Sequence, residues 1–219
     1  MGRPRRRGRR QDRVKAMKLF WSSRSPFVRK VMIAAHELGL AARLEPVPAI
    51  VAASQPNQAV MAVNPLNKIP TLILDDGGVL FDSTVICEYL DGLQGEARLF
   101  PRDQAERWPA LRWHALGNGL LDILILWRSE RMRPEAQRSD ALLAAFAQKL
   151  EAALALLEGE ADALARAPVA IGHVGVAAVL GYLDFRFADL AWRSGRPRLA
   201  AWYEGFAQRP SMRATEPHD

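Results

Sequence analysis

From Met17 onward the apolar positions of the chain change period several times. Met17-Lys18-Leu19-Phe20-Trp21 predicts a strand. Ser25-Pro26 then opens a helix, because serine is a favoured N-cap and proline suits the first helical position. Val28, Val31, Met32, Ala35 and Leu38 recur at helical spacing until Gly39 supplies a stop. Ala42 to Val47 predicts a second strand, and Pro48 to Gln58 is turn-rich. The loop Asn64 to Pro70 precedes two short apolar runs, Thr71 to Leu74 and Val79 to Phe81. Between them Asp75-Asp76-Gly77-Gly78 contains the Asp-Gly signal of a tight hairpin. Asp82-Ser83 starts a further helix through Leu90. The order implies a parallel strand pair closed by an antiparallel hairpin, with helices packed on the sheet.

Beyond Pro101 the pattern is all-helical. Gln104 to Arg131 is one long helix that Pro134 ends, Asp140 to Leu157 is a second, and Leu199 to Gln208 is a short last one. Val169 to Phe187 is apolar enough to be buried on most faces, yet His173, its glycines and Asp184 argue against a membrane span. The predicted organisation is a basic tail over 1–16, an α/β domain over 17–93, a linker over 94–103 and an all-helical domain over 104–215.

Composition changes this picture only at one end. The 219 residues are 49% apolar and 25% charged with one cysteine, which excludes a disulfide scaffold, a collagen-like repeat and a disordered chain. A net charge of +6 and a pI near 10.0 would suggest nucleic acid or an anionic membrane as partner. Residues 1–16, however, hold eight basic residues against Asp12, a net +7, which leaves −1 for the other 203. The body is therefore not expected to bind nucleic acid or membrane. The tail lacks an apolar core and a cleavage site, so it is no secretory signal, and its composition predicts disorder. It reads either as an over-extension upstream of a start at Met17 or as an electrostatic arm.

Three local features resemble the cytosolic, bacterial-type glutathione S-transferase family: Ser22 to Lys30 after the first strand, Asn64 to Leu72 with Ile69-Pro70-Thr71-Leu72, and Phe81-Asp82-Ser83 opening a helix. The resemblance covers about residues 17–215. It implies a thioredoxin-like N-terminal domain followed by an all-α domain. It also implies glutathione as co-substrate without a metal, a small hydrophobic electrophile as acceptor, and a cytoplasmic, detoxifying homodimer. Ser83, after the acidic Asp82, would hold the γ-glutamyl end at a helix N-terminus, where free donors and the dipole favour an anion. Both residues could equally be simple caps. Pro70 matches the family's cis-proline, which would leave Ile69 as a backbone contact for the cysteinyl unit and Lys68 within reach of a carboxylate.

Ser25-Pro26-Phe27-Val28 stands where thioredoxin-like redox proteins have Cys-Pro-x-Cys, so dithiol chemistry is excluded. A serine hydroxyl can instead donate to a thiolate. Ser23 and Ser22 match zeta-like members and Ser25 matches the cysteine of omega-like ones; the first two are preferred. Lowering a thiol pKa from ~8.5 to roughly 6.5 raises ionisation at pH 7 about 25-fold, but nucleophilicity falls about eightfold, a net gain of only about threefold. Most acceleration must come from holding the acceptor beside the sulfur. His114 and Asn118 lie four apart on one helical face with Asp122, beside Gly117 and Gly119. With Leu121 they are candidates for the electrophile pocket. The alternative is a polar face satisfied across an interface, and one histidine is not a metal motif. Cys87 reads as core. One departure is Ala170-Ile171-Gly172-His173, where the family has a Ser/Thr-x-x-Asp cap; losing both groups should cost roughly 1 kcal/mol unless His173 bonds differently. Other roles for such a fold are glutathione-dependent isomerisation or dehalogenation, or non-catalytic binding.

Overall fold

In the computed structural model, which describes residues 16–52, 54–93, 95 and 97–219, strand β1 (Met17–Trp21) leads into helix α1 (Pro26–Glu37). Ser25 caps α1, its Oγ accepting the Val28 N–H at 3.3 Å. The expectation for residues 1–15 of the tail lies outside the described residues. Strand β2 (Leu44–Pro48) pairs parallel with β1, Met17 opposite Leu44. The predicted start of this strand at Ala42 is replaced by a 3-10 turn, in which Arg43 N–H donates to the Leu40 carbonyl at 2.8 Å. Within the turn-rich stretch a short helix α2 (Gln58–Met61) forms because Asn57 Oδ1 accepts the Ala59 and Val60 N–H groups.

Strands β3 (Thr71–Ile73) and β4 (Val79–Leu80) make the antiparallel hairpin, closed by Gly77 at φ 89°, a conformation that suits glycine. β3 also pairs antiparallel with β1, which gives the four-stranded order β2-β1-β3-β4. Helix α3 (Ser83–Gly92) follows. Its Asp91 is buried and organises the connection to the helical half, accepting the N–H groups of Arg98, Leu99 and Phe100 at 2.9–3.0 Å. The parallel pair, the hairpin and the helical remainder read from the sequence are all present.

The helical half comprises α4 (Gln104–Arg131), α5 (Asp140–Arg166), α6 (Ile171–Arg186), α7 (Pro197–Ala207) and the short α8 (Pro210–Arg213). α5 runs past the expected Leu157 because its buried stripe Leu150, Ala153, Leu154, Leu157, Ala161 and Leu164 continues unbroken. Its Glu158 accepts the Arg198 and Leu199 N–H groups and so supplies the N-terminal cap that α7 lacks. α6 is the central helix, buried from Ile171 to Leu183. Among the described residues no helix is long and apolar enough to cross a membrane.

The missing cap of α6 is half restored. His173 Nδ1 accepts the Ala170 N–H at 3.1 Å, so the ring proton sits on Nε2 and donates to the Leu164 carbonyl at 3.0 Å. The imidazole thereby replaces the reciprocal half of a capping box and adds a tie to the end of α5. Burial holds its pKa below the ordinary histidine value.

α4 crosses α6 at very short range. A Cβ on Gly117 would lie 2.8 Å from the Gly175 carbonyl carbon, and one on Gly172 would lie 2.6 Å from the Ala110 carbonyl oxygen. Gly119, beside Asn118 in the same helix, faces open space. Because the obstructing atoms at Gly117 and Gly172 are backbone, Gly117→Ala and Gly172→Ala are each expected to destabilise by about 1–3 kcal/mol. Gly119→Ala is expected to stabilise by about 0.5–1 kcal/mol through helix propensity alone. Urea unfolding of the three variants checks this; equal effects at 117 and 119 would contradict the close crossing.

Candidate functional site

The turn between β1 and α1 forms one wall of a cleft of about 940 Å³, through Ser22, Arg24, Ser25, Pro26 and Phe27. Lys68 and Ile69 form a second side. The helical half closes it with Asp122, Ile125, Leu126, Arg128 and Ser129 of α4 and with Tyr182 and Arg186 of α6. The cleft thus draws on both halves of the chain, and the start of α1 brings a helix N-terminus to it.

The three candidate serines differ in orientation. Ser22 lines the cleft, and its Oγ accepts the Arg24 N–H at 3.4 Å, which leaves its own proton to donate. Ser25 lines the cleft while capping α1. Ser23, preferred with Ser22 from the sequence, is not among the residues lining the cleft, and its hydroxyl donates to the His218 carbonyl at 2.8 Å. The physical reason is the segment after α8, which lies across this turn and offers an acceptor that no local pattern reveals.

The Ile69-Pro70 bond is cis. Ile69 and Lys68 line the cleft, and Pro70 is buried behind them. Asn64, itself buried, holds this loop: its Nδ2 donates to the Lys68 carbonyl at 3.2 Å and to Thr71 Oγ1 at 2.8 Å, and its Oδ1 accepts the Leu66 N–H at 3.1 Å. Thr71 Oγ1 donates to the same Lys68 carbonyl at 2.8 Å. Sequence reasoning treated Asn64 only as part of a loop, although an asparagine before proline is a ready turn-former. Asp82 follows a cis Phe81-Asp82 bond and caps α3 through the Thr84 N–H at 2.9 Å. Ser83 is the buried first residue of α3. Neither lines the cleft.

His114, Asn118 and Leu121, which the sequence offers as candidates for the electrophile pocket, are not among the residues lining the cleft. His114 and Leu121 are buried, and the helical face at the cleft is that of Asp122, Ile125, Leu126 and Ser129. The polar face is taken by Lys30 of α1, which is fully buried. Its Nζ donates to Asn118 Oδ1 at 2.6 Å and to His114 Nε2 at 3.1 Å, with the Phe27 ring centroid 5.8 Å away. Asn118 Nδ2 continues the chain to Thr84 Oγ1 on α3 at 3.0 Å. Burial pushes the Lys30 pKa down, and burial together with Lys30 holds His114 at about 3. Lys30 stands beside Arg29 among apolar neighbours of an amphipathic helix, which was the available signal. Cys87 is buried, and burial pushes its thiol up to about 11, which suits a core residue rather than a nucleophile. Among the described residues no cluster of three or more His, Cys, Asp or Glu side chains could hold a metal ion.

Comparison with known proteins agrees with this geometry. Residues 24–93 match the glutathione S-transferase N-terminal domain and residues 140–205 the glutathione S-transferase C-terminal domain. The Uncharacterized GST-like protein YibF of Escherichia coli K12 is 32% identical over 204 residues, spanning 92% of this chain and 98% of that protein. A crystal structure of a glutathione transferase family member from Pseudomonas fluorescens Pf-5 with bound glutathione is 42% identical, with a TM-score of 0.89, covering 93% of this chain and 100% of that one. A second structure from that organism, with bound S-(propanoic acid)-glutathione, is 41% identical with a TM-score of 0.85 and the same coverage.

The Lys30–His114 contact requires a neutral imidazole. Because the folded pKa of His114, about 3, lies below the ordinary value near 6.5, the unfolded chain binds the extra proton first as pH falls. The stability His114 contributes is therefore full above about pH 6.5 and is lost from there downward. In His114→Gln, which keeps an acceptor but cannot titrate, the slope of stability against pH between 6.5 and 5 should be shallower by up to about 1.4 kcal/mol per pH unit. Denaturant melts across that range measure it; parallel slopes in the two proteins would overturn the assignment.

Proposed function

The chain belongs to the glutathione S-transferase family, and on that premise we propose that it binds glutathione in the cleft and conjugates its thiolate to a small electrophile. The observation that carries the reading is the convergence in one cleft of the Ser22–Phe27 turn, the Lys68-Ile69 edge and the helical wall from Asp122 to Arg186. The two Pseudomonas structures, solved with glutathione and with a glutathione thioether, support it.

In this reading residues 17–93 supply the glutathione site and residues 104–215 the acceptor pocket. The cysteinyl unit lies along Ile69, held there by the loop that Asn64 and Thr71 fix. Lys68 meets a carboxylate, and the γ-glutamyl end extends beyond the lined part of the cleft to the start of α3, where Asp82 is the cap and Ser83 the first helical residue. Ser22 is the hydroxyl that donates to the sulfur, aided by the positive end of α1, with Ser25 as the neighbouring alternative. The thiol proton leaves to solvent through the open cleft. Sulfur then attacks an acceptor lying against Phe27, Ile125 and Leu126, forming the carbon–sulfur bond as the leaving group departs with its electron pair. Because the hydroxyl adds only about threefold at neutral pH, placement of the acceptor dominates the rate.

Retention on immobilised glutathione and turnover of 1-chloro-2,4-dinitrobenzene test the reading, and a chain that neither binds nor turns over would overturn it. Ser83→Ala is expected to weaken retention. Ser22→Ala is expected to remove the thiolate ultraviolet absorbance of bound glutathione at pH 7 while lowering turnover by only about threefold. Ser23→Ala should leave the absorbance in place. An unchanged spectrum in Ser22→Ala would transfer the role to Ser25.

A further inference from the structure

The cleft as a whole is cationic, its lining carrying Arg24, Lys68, Arg128 and Arg186 against Asp122. Arg128 and Arg186 stand on the helical, acceptor side. One further carboxylate already sits in this group. Asp219, beyond the end of α8, accepts from both terminal nitrogens of Arg186, with Nη1 at 2.9 Å from Oδ2 and Nη2 bonded to Oδ1. Arg24 and Arg128 add to the field that holds the Asp219 carboxyl below its usual range. Beside it the His218 carbonyl takes the Ser23 hydroxyl, so one strap covers the arginine cluster and the serine turn together. Tyr182 lines the same wall nearly buried, and burial raises its pKa, so it stays a hydroxyl donor.

Resting on the transferase reading above, we propose that the acceptor half of the cleft takes an anionic electrophile whose carboxylate is held by Arg186 and Arg128, and that Asp219 is a tethered stand-in for that carboxylate. A planar guanidinium grips a carboxylate through two parallel bonds, as Arg186 already does with Asp219, whereas an isosteric amide offers it only one acceptor oxygen. An acceptor acid that displaces Asp219 therefore inherits a preformed bidentate site. The same displacement releases the strap from Ser23. The side chain of Asp219 is 67% exposed, so the pair it makes is weak enough to be exchanged.

The test compares two conjugates that differ only in charge. Bromoacetate gives S-carboxymethylglutathione, and bromoacetamide gives S-carbamoylmethylglutathione. In both, sulfur bonds to the methylene carbon, the carbon–bromine bond breaks and bromide leaves with the electron pair. By calorimetry the carboxymethyl conjugate should bind the wild-type chain about tenfold more tightly than the carbamoylmethyl one. In Arg186→Gln the ratio should fall toward one. In Asp219→Asn the carboxymethyl conjugate should gain roughly two- to fivefold, the worth of an exposed ion pair, with the carbamoylmethyl conjugate unmoved. Asp219 is exposed, so this arm decides the question even where Arg186→Gln folds poorly, and Arg128→Gln gives a second reading of the ratio. Equal binding of the two conjugates, or a preference that survives both arginine changes, overturns the carboxylate site. No gain in Asp219→Asn overturns the stand-in. If glutathione itself fails to bind, the transferase reading falls and this assignment with it; if glutathione binds and the conjugates bind alike, only the assignment falls.

Discussion

The ammonium of Lys30 lies fully buried between the sheet-bearing half and the helical half, and its two polar contacts are a neutral imidazole and an amide oxygen. A buried ammonium left alone costs several kcal/mol of desolvation, so its partners must be held at good geometry for the fold to tolerate it. That requirement fixes distances across the molecule. Lys30 is one helical turn from Phe27, which lines the cleft from α1, and Asn118 is one turn from Asp122, which lines it from α4. The bond between them therefore sets how far apart the two walls stand. Asn118 extends the constraint to Thr84 and so to the first turn of α3.

Arg29 doubles the constraint on the neighbouring face. Its guanidinium is mostly buried, one terminal nitrogen reaches the Met212 carbonyl at 3.5 Å, and it lies so close to α6 that a Cβ on Gly181 would come within 2.1 Å of it. A side chain at 181 would push the guanidinium off α6. Two consecutive cations on α1 thus anchor to different elements of the helical half, Lys30 to α4 and Arg29 to α6 and α8. A rigid α1 held at two azimuths cannot rotate, and the Ser22–Phe27 turn in front of it keeps its bearing on the cleft.

The elements were legible where one physical signal dominated. Ser25-Pro26 and Asp75 to Gly78 act through local backbone chemistry and the structure holds both, while the helix expected over Asp140 to Leu157 is present but continues to Arg166. The site was legible only where function and local conformation coincide, as at Ile69-Pro70. It was not legible where a side chain has two acceptable partners and tertiary packing chooses. The spacing of His114 and Asn118 is compatible with a pocket and with an interface, and the contact with Lys30, 84 and 88 residues away in the chain, is invisible to local pattern. Ser22 and Ser23 are equivalent in sequence, and the His218 carbonyl, contributed from 195 residues away, separates them. At Ala170 and His173 the residue types of the usual cap are absent, and the open alternative, that His173 bonds differently, holds because a neutral ring offers both an acceptor and a donor.

The placement of charge also bears on how the cleft divides its labour. The body of the chain is close to neutral, at −1 over 203 residues, yet four cations line one cleft. Concentrating them there raises the local concentration of anions, which suits glutathione at one end and, on the inference drawn above, the acceptor at the other. On the proposed reading, cations lining the cleft also favour the thiolate by Coulomb attraction. Those two services compete, because an acceptor carboxylate that neutralises Arg186 removes part of the field acting on the sulfur. The loss is tolerable because ionisation contributes little net rate, as the roughly threefold figure for the hydroxyl shows, whereas orientation of the acceptor is worth far more. A site limited by orientation does better with its guanidinium on the acceptor than with the same charge spent on the thiol.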